Sequence, residues 1–513
     1  MEAVAVEMNC GTLSDTVFEH ALSKPDALAL VQREIRLSYA TLAGLIGRAS
    51  AHLHGLGVRP GEVVAVGLGF GVDALVLTMA LLRLGAVPID IAGIRQAGLE
   101  AAITRFVVRR VLAPVMVALP EGSICHVVDA GFHAAVAGAS GDRRTTRDPA
   151  AAHLLHLARD RHGGPKAIAV TQHQILARMR STRLLFPAWF TPQELPMLLL
   201  VGEMGFAGMT LLATQFARGG PVGLLPADPD AGRMARLIGG AGDTVCLVSA
   251  AQCRRLLEVA PADGWLFPRL RGLIHGARVL SAGEEAEIGR RLAANVWSTH
   301  GSAATGFVAA AMPGPCAPGL WAEAADGAGQ VVPPGMVGHL RFRGPGVSLG
   351  LYRATAEEQV AEGFRGGWLM SGDVGSVAVD GTLLVTGHAG DLLRRRGIDL
   401  FLPQIEDALR AHPASADAAV VGVMVPDGKD PLLIGFVVPR EAPDLAGTPD
   451  LSGLARHCAS LLAPARRPDR LAFIKELPRL ADGRVDRRRL AAMAVRGEAP
   501  KPDAPLSAEA PRA

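Results

Sequence analysis

The feature that most constrains this chain is an alternation running through its first two thirds. "EVVAVGLG" (62–69) is an apolar run of strand length, "GVDALVLTMALLRLG" (71–85) has a helical pattern, and "AVPIDI" (86–91) is again strand-like. "RFVVRRVLAPV" (105–115) and "AIAVT" (167–171) also read as strands, while "DAGRMARLIGGAG" (230–242) and "AGEEAEIGRRLAAN" (282–295) read as helices. Short buried strands separated by helices imply an α/β fold with largely parallel sheets, because parallel neighbours need a crossover between them.

From about residue 320 the texture shifts to shorter strands with Gly/Pro turns, as in "GHLRFRGPGVSLGLY" (338–352) and "GWLMSGDVGSVAVDGTLLVTG" (367–387). Asp380-Gly381 is a hairpin signal. Beyond Gly387, "LPQIEDALRAH" and "LSGLARHCASLLAP" read as helices, and "ADAAVVGVMV" and "LLIGFVVP" as strands. The expected architecture is a large N-terminal domain (1–386) followed by a small, mobile α+β domain (387–495). The large domain would hold two mainly parallel α/β subdomains and a small β-barrel-like part. The Pro/Ala-rich end, 496–513, reads as a disordered tail.

A chain of 513 residues is too long for one core, which agrees with that division. The net charge of +3 argues against nucleic acid or a membrane surface as partner. The longest apolar stretch is broken by Asp73, Arg83 and several glycines, so no membrane span is expected. The first twenty residues lack a basic region followed by an apolar one, so no signal peptide is expected either. Six cysteines without metal-ligand spacing read as reduced thiols of a cytoplasmic protein. Lysine is scarce, with only Lys24, Lys166, Lys429, Lys475 and Lys501 against a combined Lys and Arg total of 52.

"ARDRHGGPKA" (158–167) has the outline of a phosphate-binding loop. Gly163 and Gly164 would let backbone approach a phosphate, and Lys166 would supply charge. Arg159, Asp160, Arg161 and His162 stand where such a loop usually carries Ser, Thr and Gly. His153, His156, His162 and His173 crowd this stretch without a zinc-like spacing, so no metal site is expected.

In order along the chain, "GGPKAIAVTQHQIL", "LRGLIHGARVLS", "NVWSTHGSAATG", "GHLRFRGPGVSLGLY", "GWLMSGDVG", "GHAGDLLRRRGIDLFLPQIEDAL" and "LPRLADGRVDRRRL" resemble the motifs of the adenylate-forming superfamily. That superfamily includes acyl-CoA synthetases, peptide-synthetase adenylation domains and luciferases. The resemblance covers roughly residues 15 to 495. It implies that ATP and a carboxylate give an acyl-adenylate and pyrophosphate, after which a thiol, usually CoA, captures the acyl group.

By the same resemblance, Lys166, His300 and Arg484 occupy catalytic positions. Arg484 replaces the lysine that bridges carboxylate and α-phosphate, keeping the charge but changing its shape. Gly163, Gly164, Gly276, Ala277, Gly301, Ser302, Asp373 and His388 are the implied nucleotide contacts. A carboxylate such as Asp373 suits a ribose diol, since it can accept two hydrogen bonds. Glu203, Met204, Gly205 and Ala303 fall in the implied acyl pocket, a mainly small and apolar lining that suggests a fatty or aromatic acid. Gly397 matches the glycine beside the CoA arm. Gly344, Gly350 and Glu406 are framework matches. The arginine triplets 394–396 and 487–489 read as solvated faces or contacts to CoA phosphates.

Several positions depart from the pattern. His300 stands for a tyrosine, Ala303 for a threonine, and Ala304 for the glutamate associated with magnesium, which a methyl group cannot coordinate. His388 and Gly390 replace hinge residues. Magnesium is expected to accompany ATP, but without that protein carboxylate. Three readings follow: an acyl-CoA synthetase-like ligase, a catalytically impaired homologue that binds a nucleotide, an acyl ligand or a partner protein, and, lower, an adenylation domain that loads a carrier protein.

Overall fold

The computed structural model describes residues 12–94, 96–159, 164–186, 189, 195–202, 205–226, 230–276, 280, 282–396, 398–424, 430–440, 451–479 and 485–496. The tail expected beyond residue 495 lies almost wholly outside them. The chain divides into two compact units, Met1–Ser371 with Gly375–Val385, and Gly372–Val374 with Thr386–Ala513.

The first unit is built on two α/β sheets. One has six strands, in the order Ile124–Val127, Arg110–Ala113, Val63–Val66, Val87–Asp90, Ala152–Arg159 and Pro165–Thr171. All its pairings are parallel except the last, a hairpin. The other has eight strands, in the order Gly306–Ala309, Val296–Ser302, Gly272–Gly276, Thr244–Leu247, Met197–Val201, Val222–Leu225, Leu28–Gln32 and Ile35–Ser38. Only the two edge pairings of this sheet are antiparallel.

Strand alternation explains the layering. Val64 and Val66 face one large core together with Leu198, Leu200, Val222 and Leu224 of the other sheet. Val63 and Ala65 face a second core against Leu99, Ile103 and Phe106. Leu199, Val201 and Leu273 face a third against Met234, Ile238 and Ile288. Both faces of each sheet are thus covered, as parallel strands require. A further six-stranded sheet runs Gly314–Pro315, Thr382–His388, Trp368–Val377, Gly338–Arg343 and Trp321–Ala325, with Phe364–Arg365 paired to Trp368–Val377. Its Asp380-Gly381 turn is as expected, with Gly381 at φ 81° and the Thr382 amide donating to Asp380 Oδ1 at 2.9 Å.

One expectation fails locally. Arg105 and Phe106 end the helix Gln96–Phe106 instead of starting a strand, and the strand spans only Arg110–Ala113. Val107, at φ 54°, breaks the helix in a left-handed conformation that its apolar side chain gives no hint of.

A buried ionic hub ties the first helix, Leu13–Ser23, to this unit. Arg83 donates from Nη1 to Asp15 Oδ1 at 2.9 Å and also holds Asp142, and Arg144 donates to both oxygens of Asp15 at 3.0 and 2.9 Å. The Arg83 guanidinium stacks 3.5 Å from the centre of the Phe18 ring.

The second unit holds the three-stranded sheet Ser415–Val423, Leu432–Pro439 and Arg470–Phe473 with helices Leu402–Arg410, Leu451–Leu461 and Arg487–Arg496. Its sheet also buries both faces, Ala418, Val420 and Leu433 on one side and Ala419, Val421 and Ile434 on the other. Glu406, 2% exposed, accepts from the Val420 amide at 2.8 Å, from Arg410 at 3.2 Å and from Arg487.

The described cysteines form no disulfide. Cys246 and Cys253 lie in the first unit and Cys458 in the second, all buried. Burial raises the Cys253 thiol to about 12 and that of Cys458 to about 11, and pushes Cys246 up further.

Removing one partner of a buried charge network leaves the other uncompensated, at a cost of ~3–5 kcal/mol. Asp15→Ala is therefore expected to lower the stability of the first unit by about 3 kcal/mol, read as a shift in its denaturant midpoint. Glu406→Ala is expected to cost the second unit about 3 kcal/mol. Amide exchange in Ser415–Val423 should accelerate while the two large sheets keep their protection.

Candidate active site

In the eight-stranded sheet, Met197–Val201, Thr244–Leu247, Gly272–Gly276 and Val296–Ser302 run parallel, so their carboxyl ends share one edge. Open α/β sheets bind ligands at that edge, where the strands stop and the loops begin. Gly202, Gly276 and the segment His300–Ser302 occupy it. Gly205 follows as the N-cap of the helix Phe206–Ala217. A Cβ added at Gly276 or Gly205 would meet nothing within 4 Å among the described residues, so internal packing does not demand glycine there. Glu203, Met204 and Ala277 lie outside the described residues.

His300 is buried at 4% exposure, and its backbone pairs with Ala309. The next residue is glycine for a steric reason, since a Cβ on Gly301 would come 2.2 Å from the Gly306 carbonyl oxygen. Ser302 and Thr305 then close a tight turn. The Ser302 amide donates to Thr305 Oγ1 at 3.0 Å, and the Thr305 amide to Ser302 Oγ at 3.2 Å. Between them, Ala303 is half-buried, and Ala304 is buried with its methyl in the large core.

Beneath this turn lies Arg178, which sequence reasoning missed. It comes from the helix Gln172–Leu185, which starts on a capping box between Thr171 and Gln174. Its Nη2 donates to the carbonyls of Ala303 at 2.9 Å and Ala304 at 3.3 Å, and its Nε to that of Gly346 at 2.8 Å. Burial lowers the guanidinium to about 10. His156 is pushed down to about 3, first by burial and then by the nearby Arg178 charge, so it is neutral. The signal for Arg178 was present as a stripe of Ile175, Arg178, Met179 and Thr182 at helical spacing, all buried.

The strands on either side of the glycine-rich segment form a hairpin that pairs Arg159 with Pro165 and Ala158 with Lys166. Gly164 is half-buried, whereas Asp160, Arg161, His162 and Gly163 lie outside the described residues. Lys166 itself is on the strand Pro165–Thr171, and its ammonium pairs with Glu362 at 2.5 Å. The strand is held there by the 350–352 segment, where the Tyr352 amide donates to the Ala167 carbonyl at 2.8 Å.

A second group of site residues belongs to the second unit. Asp373 is 4% exposed. Gly372, at φ 78°, packs so closely under His388 that a Cβ would sit 2.6 Å from Nε2. His388 Nδ1 accepts from the Gly390 amide at 3.0 Å. Arg484 and Gly397 lie outside the described residues.

The arginine triplets need correction. Each is split, because one member is held by carboxylates and the others face solvent. Arg395 is buried on Asp469 at 2.5 Å, while Arg394 and Arg396 are exposed. Arg487 rests on Glu406 and on Asp391 at 2.9 Å, while Arg488 and Arg489 are exposed.

Aromatic side chains are the other feature that sequence reasoning missed. Only 4% of the chain is Phe, Trp or Tyr, yet Phe186, Trp189, Trp297, Phe206 and Phe307 gather behind the turn. Phe186 lies 5.5 Å from Trp297 and 5.8 Å from Phe307, and Phe206 lies 5.7 Å from Phe307. Their distant sequence positions hide a cluster that only the fold assembles.

Two stretches of the chain match models of known families. Residues 17–151 match the model of the AMP-binding enzyme family, and residues 404–484 that of the AMP-binding enzyme C-terminal domain. A sulfoacetate–CoA ligase of Cupriavidus necator is 35% identical over 32% of this chain, a match spanning 31% of that ligase, so the chain covers about a third of it. A 2-succinylbenzoate–CoA ligase of Bacillus mycoides is likewise matched over 32% of its length. A salicyl-AMP ligase of Mycobacterium tuberculosis is 27% identical over 93% of this chain and 90% of its own. The fold is shared with ATP-bound MatB of Rhodopseudomonas palustris, with a TM-score of 0.81 and 23% identity, covering 94% of this chain and 98% of that one. Two domain models of AMP-binding enzymes thus match this chain one after the other, which makes it similar to the adenylate-forming superfamily.

Proposed function

We propose that this chain is an AMP-forming acid–thiol ligase. A carboxylate oxygen attacks the α-phosphorus of ATP, the bond to the bridging oxygen breaks, and pyrophosphate leaves with the electron pair. A thiol sulfur then attacks the adenylate carbonyl, AMP departs with the bonding electrons, and the thiol proton passes to solvent. The observation that carries this reading is the convergence of Gly202, Gly276 and the Gly301–Ser302 turn on one sheet edge, in a chain with both family domains.

In this reading Asp373 holds the ribose, Gly301 and Ser302 border the adenylate, and Arg484 bridges carboxylate and phosphate. Lys166 must part from Glu362 to reach a phosphate. Phe206 and Phe307, beside Gly205, favour an aromatic or other apolar acid. The acceptor is CoA or a carrier protein, and the two units act as adenylation and small domains. Attack at phosphorus depends mainly on positioning and charge neutralisation, which this set supplies without an acid or base.

Magnesium is a poor fit to the turn. Ala304 offers no oxygen from its side chain, and its carbonyl is taken by Arg178 and the Ser348 amide. Among the described residues no three His, Cys, Asp or Glu side chains are grouped to hold a metal ion. No step is assigned to a protein-held metal. The same departures, with the Lys166–Glu362 pair, favour a second reading in which the chain binds nucleotide without turning it over.

Exchange of labelled pyrophosphate into ATP, across a panel of aromatic and aliphatic acids, separates the two readings. Acid-dependent exchange is expected, and AMP binding without exchange for any acid would leave the second reading. Asp373→Ala is expected to weaken AMP about 10- to 100-fold by losing charged hydrogen bonds, while inorganic pyrophosphate binding stays unchanged. Calorimetric titration of both ligands measures this.

A further inference from the structure

Three arginines are buried among the described residues, Arg83, Arg178 and Arg395. Arg83 rests on Asp15 and Asp142, and Arg395 on Asp469. Arg178 rests on three main-chain carbonyls and on no carboxylate among the described residues. A buried charge ordinarily sits on an opposite charge, because desolvation is otherwise uncompensated. The nearest feature of functional interest is the Ala303–Ala304 turn that Arg178 holds from below.

Lys166 offers the contrast. It is the other cation of the first unit implicated in the site, and Glu362 already neutralises it. His156 beside Arg178 is neutral. The positive field under the turn is therefore that of Arg178. The cavity that Arg178 helps line, with Ser181, Thr182, Thr305 and Phe307, is only about 30 Å³. That is room for little more than a water molecule, so no phosphate reaches the guanidinium from that side.

The charge can still act through the peptide groups. A guanidinium donating to the Ala303 and Ala304 carbonyls polarises those peptides and strengthens their N–H groups, those of Ala304 and Thr305, as donors. The Thr305 amide is already taken by Ser302 Oγ at 3.2 Å, whereas the Ala304 amide makes no hydrogen bond to any described residue. A fixed, polarised amide at Ala304 backed by a buried cation forms a receptor for an anion, and a bound anion would supply the compensation that Arg178 lacks.

We propose that Arg178 is the positioning residue of the nucleotide site, holding and polarising the Ala303–Ala304 turn so that it receives the phosphate of AMP or ATP, its fixed charge standing in place of a cation held by the protein. The inference rests on the nucleotide-binding reading above and adds a residue and a charge balance to it.

The test compares AMP with adenosine on the full-length protein, by calorimetry, for wild type, Arg178→Met and Arg178→Lys. Arg178→Met is expected to weaken AMP about 10- to 100-fold, the scale of a lost charged hydrogen bond, and to leave adenosine within about twofold. Arg178→Lys keeps the charge but cannot span the carbonyls, so its AMP affinity should fall between the other two. Chelating magnesium with EDTA should change wild-type AMP affinity by less than about threefold. Equal loss of AMP and adenosine in both variants would mark a merely structural arginine and overturn the proposal, as would a tenfold loss with EDTA. Unchanged AMP affinity in folded Arg178→Met would overturn it too. If wild type binds neither AMP nor ATP, the nucleotide reading itself falls, and this inference with it.

Discussion

The structure depends on one apolar layer that two sheets share. Val64 and Val66 of the six-stranded sheet and Leu198, Leu200, Val222 and Leu224 of the eight-stranded sheet bury into the same core. A strand has only two faces, and each of these sheets spends its second face on a separate helical layer. Polar chemistry is thereby driven off the faces and onto the strand ends. The carboxyl edge of the eight-stranded sheet is where three parallel strands deliver Gly202, Gly276 and Ser302 together.

Charge is distributed with the same economy. Buried arginines elsewhere serve as fasteners, Arg83 binding a helix to the first unit and Arg395 closing a loop in the second. Among the candidate site residues the pattern changes. A lysine is matched with a glutamate and an arginine is spread over carbonyls, so the balance of charge there is set by what the protein withholds as much as by what it presents.

Much of this was legible in the sequence because its signals are periodic. The runs at 62–69, 71–85 and 86–91 give strand, helix and strand as Val63–Val66, Val72–Arg83 and Val87–Asp90. Asp380-Gly381 makes its turn for the reason its residues suggest. What escaped was non-local. Lys166 and Glu362 are 196 residues apart, Arg178 and Ala303 are 125 apart, and no local pattern joins them. At Val107 the local signal was itself misleading, since a valine seldom takes a positive φ. The arginine triplets were misread because identical neighbours concealed unequal burial. Arg484, Gly397 and the middle of the glycine-rich segment lie outside the described residues.

The cysteines have a practical meaning. Thiolates, not thiols, react with alkylating reagents, and burial keeps Cys246, Cys253 and Cys458 protonated and covered. Each becomes reactive only when the core around it opens. Because Cys246 and Cys253 lie in one unit and Cys458 in the other, the chain carries a separate chemical clock for the breathing of each unit, readable without adding a probe.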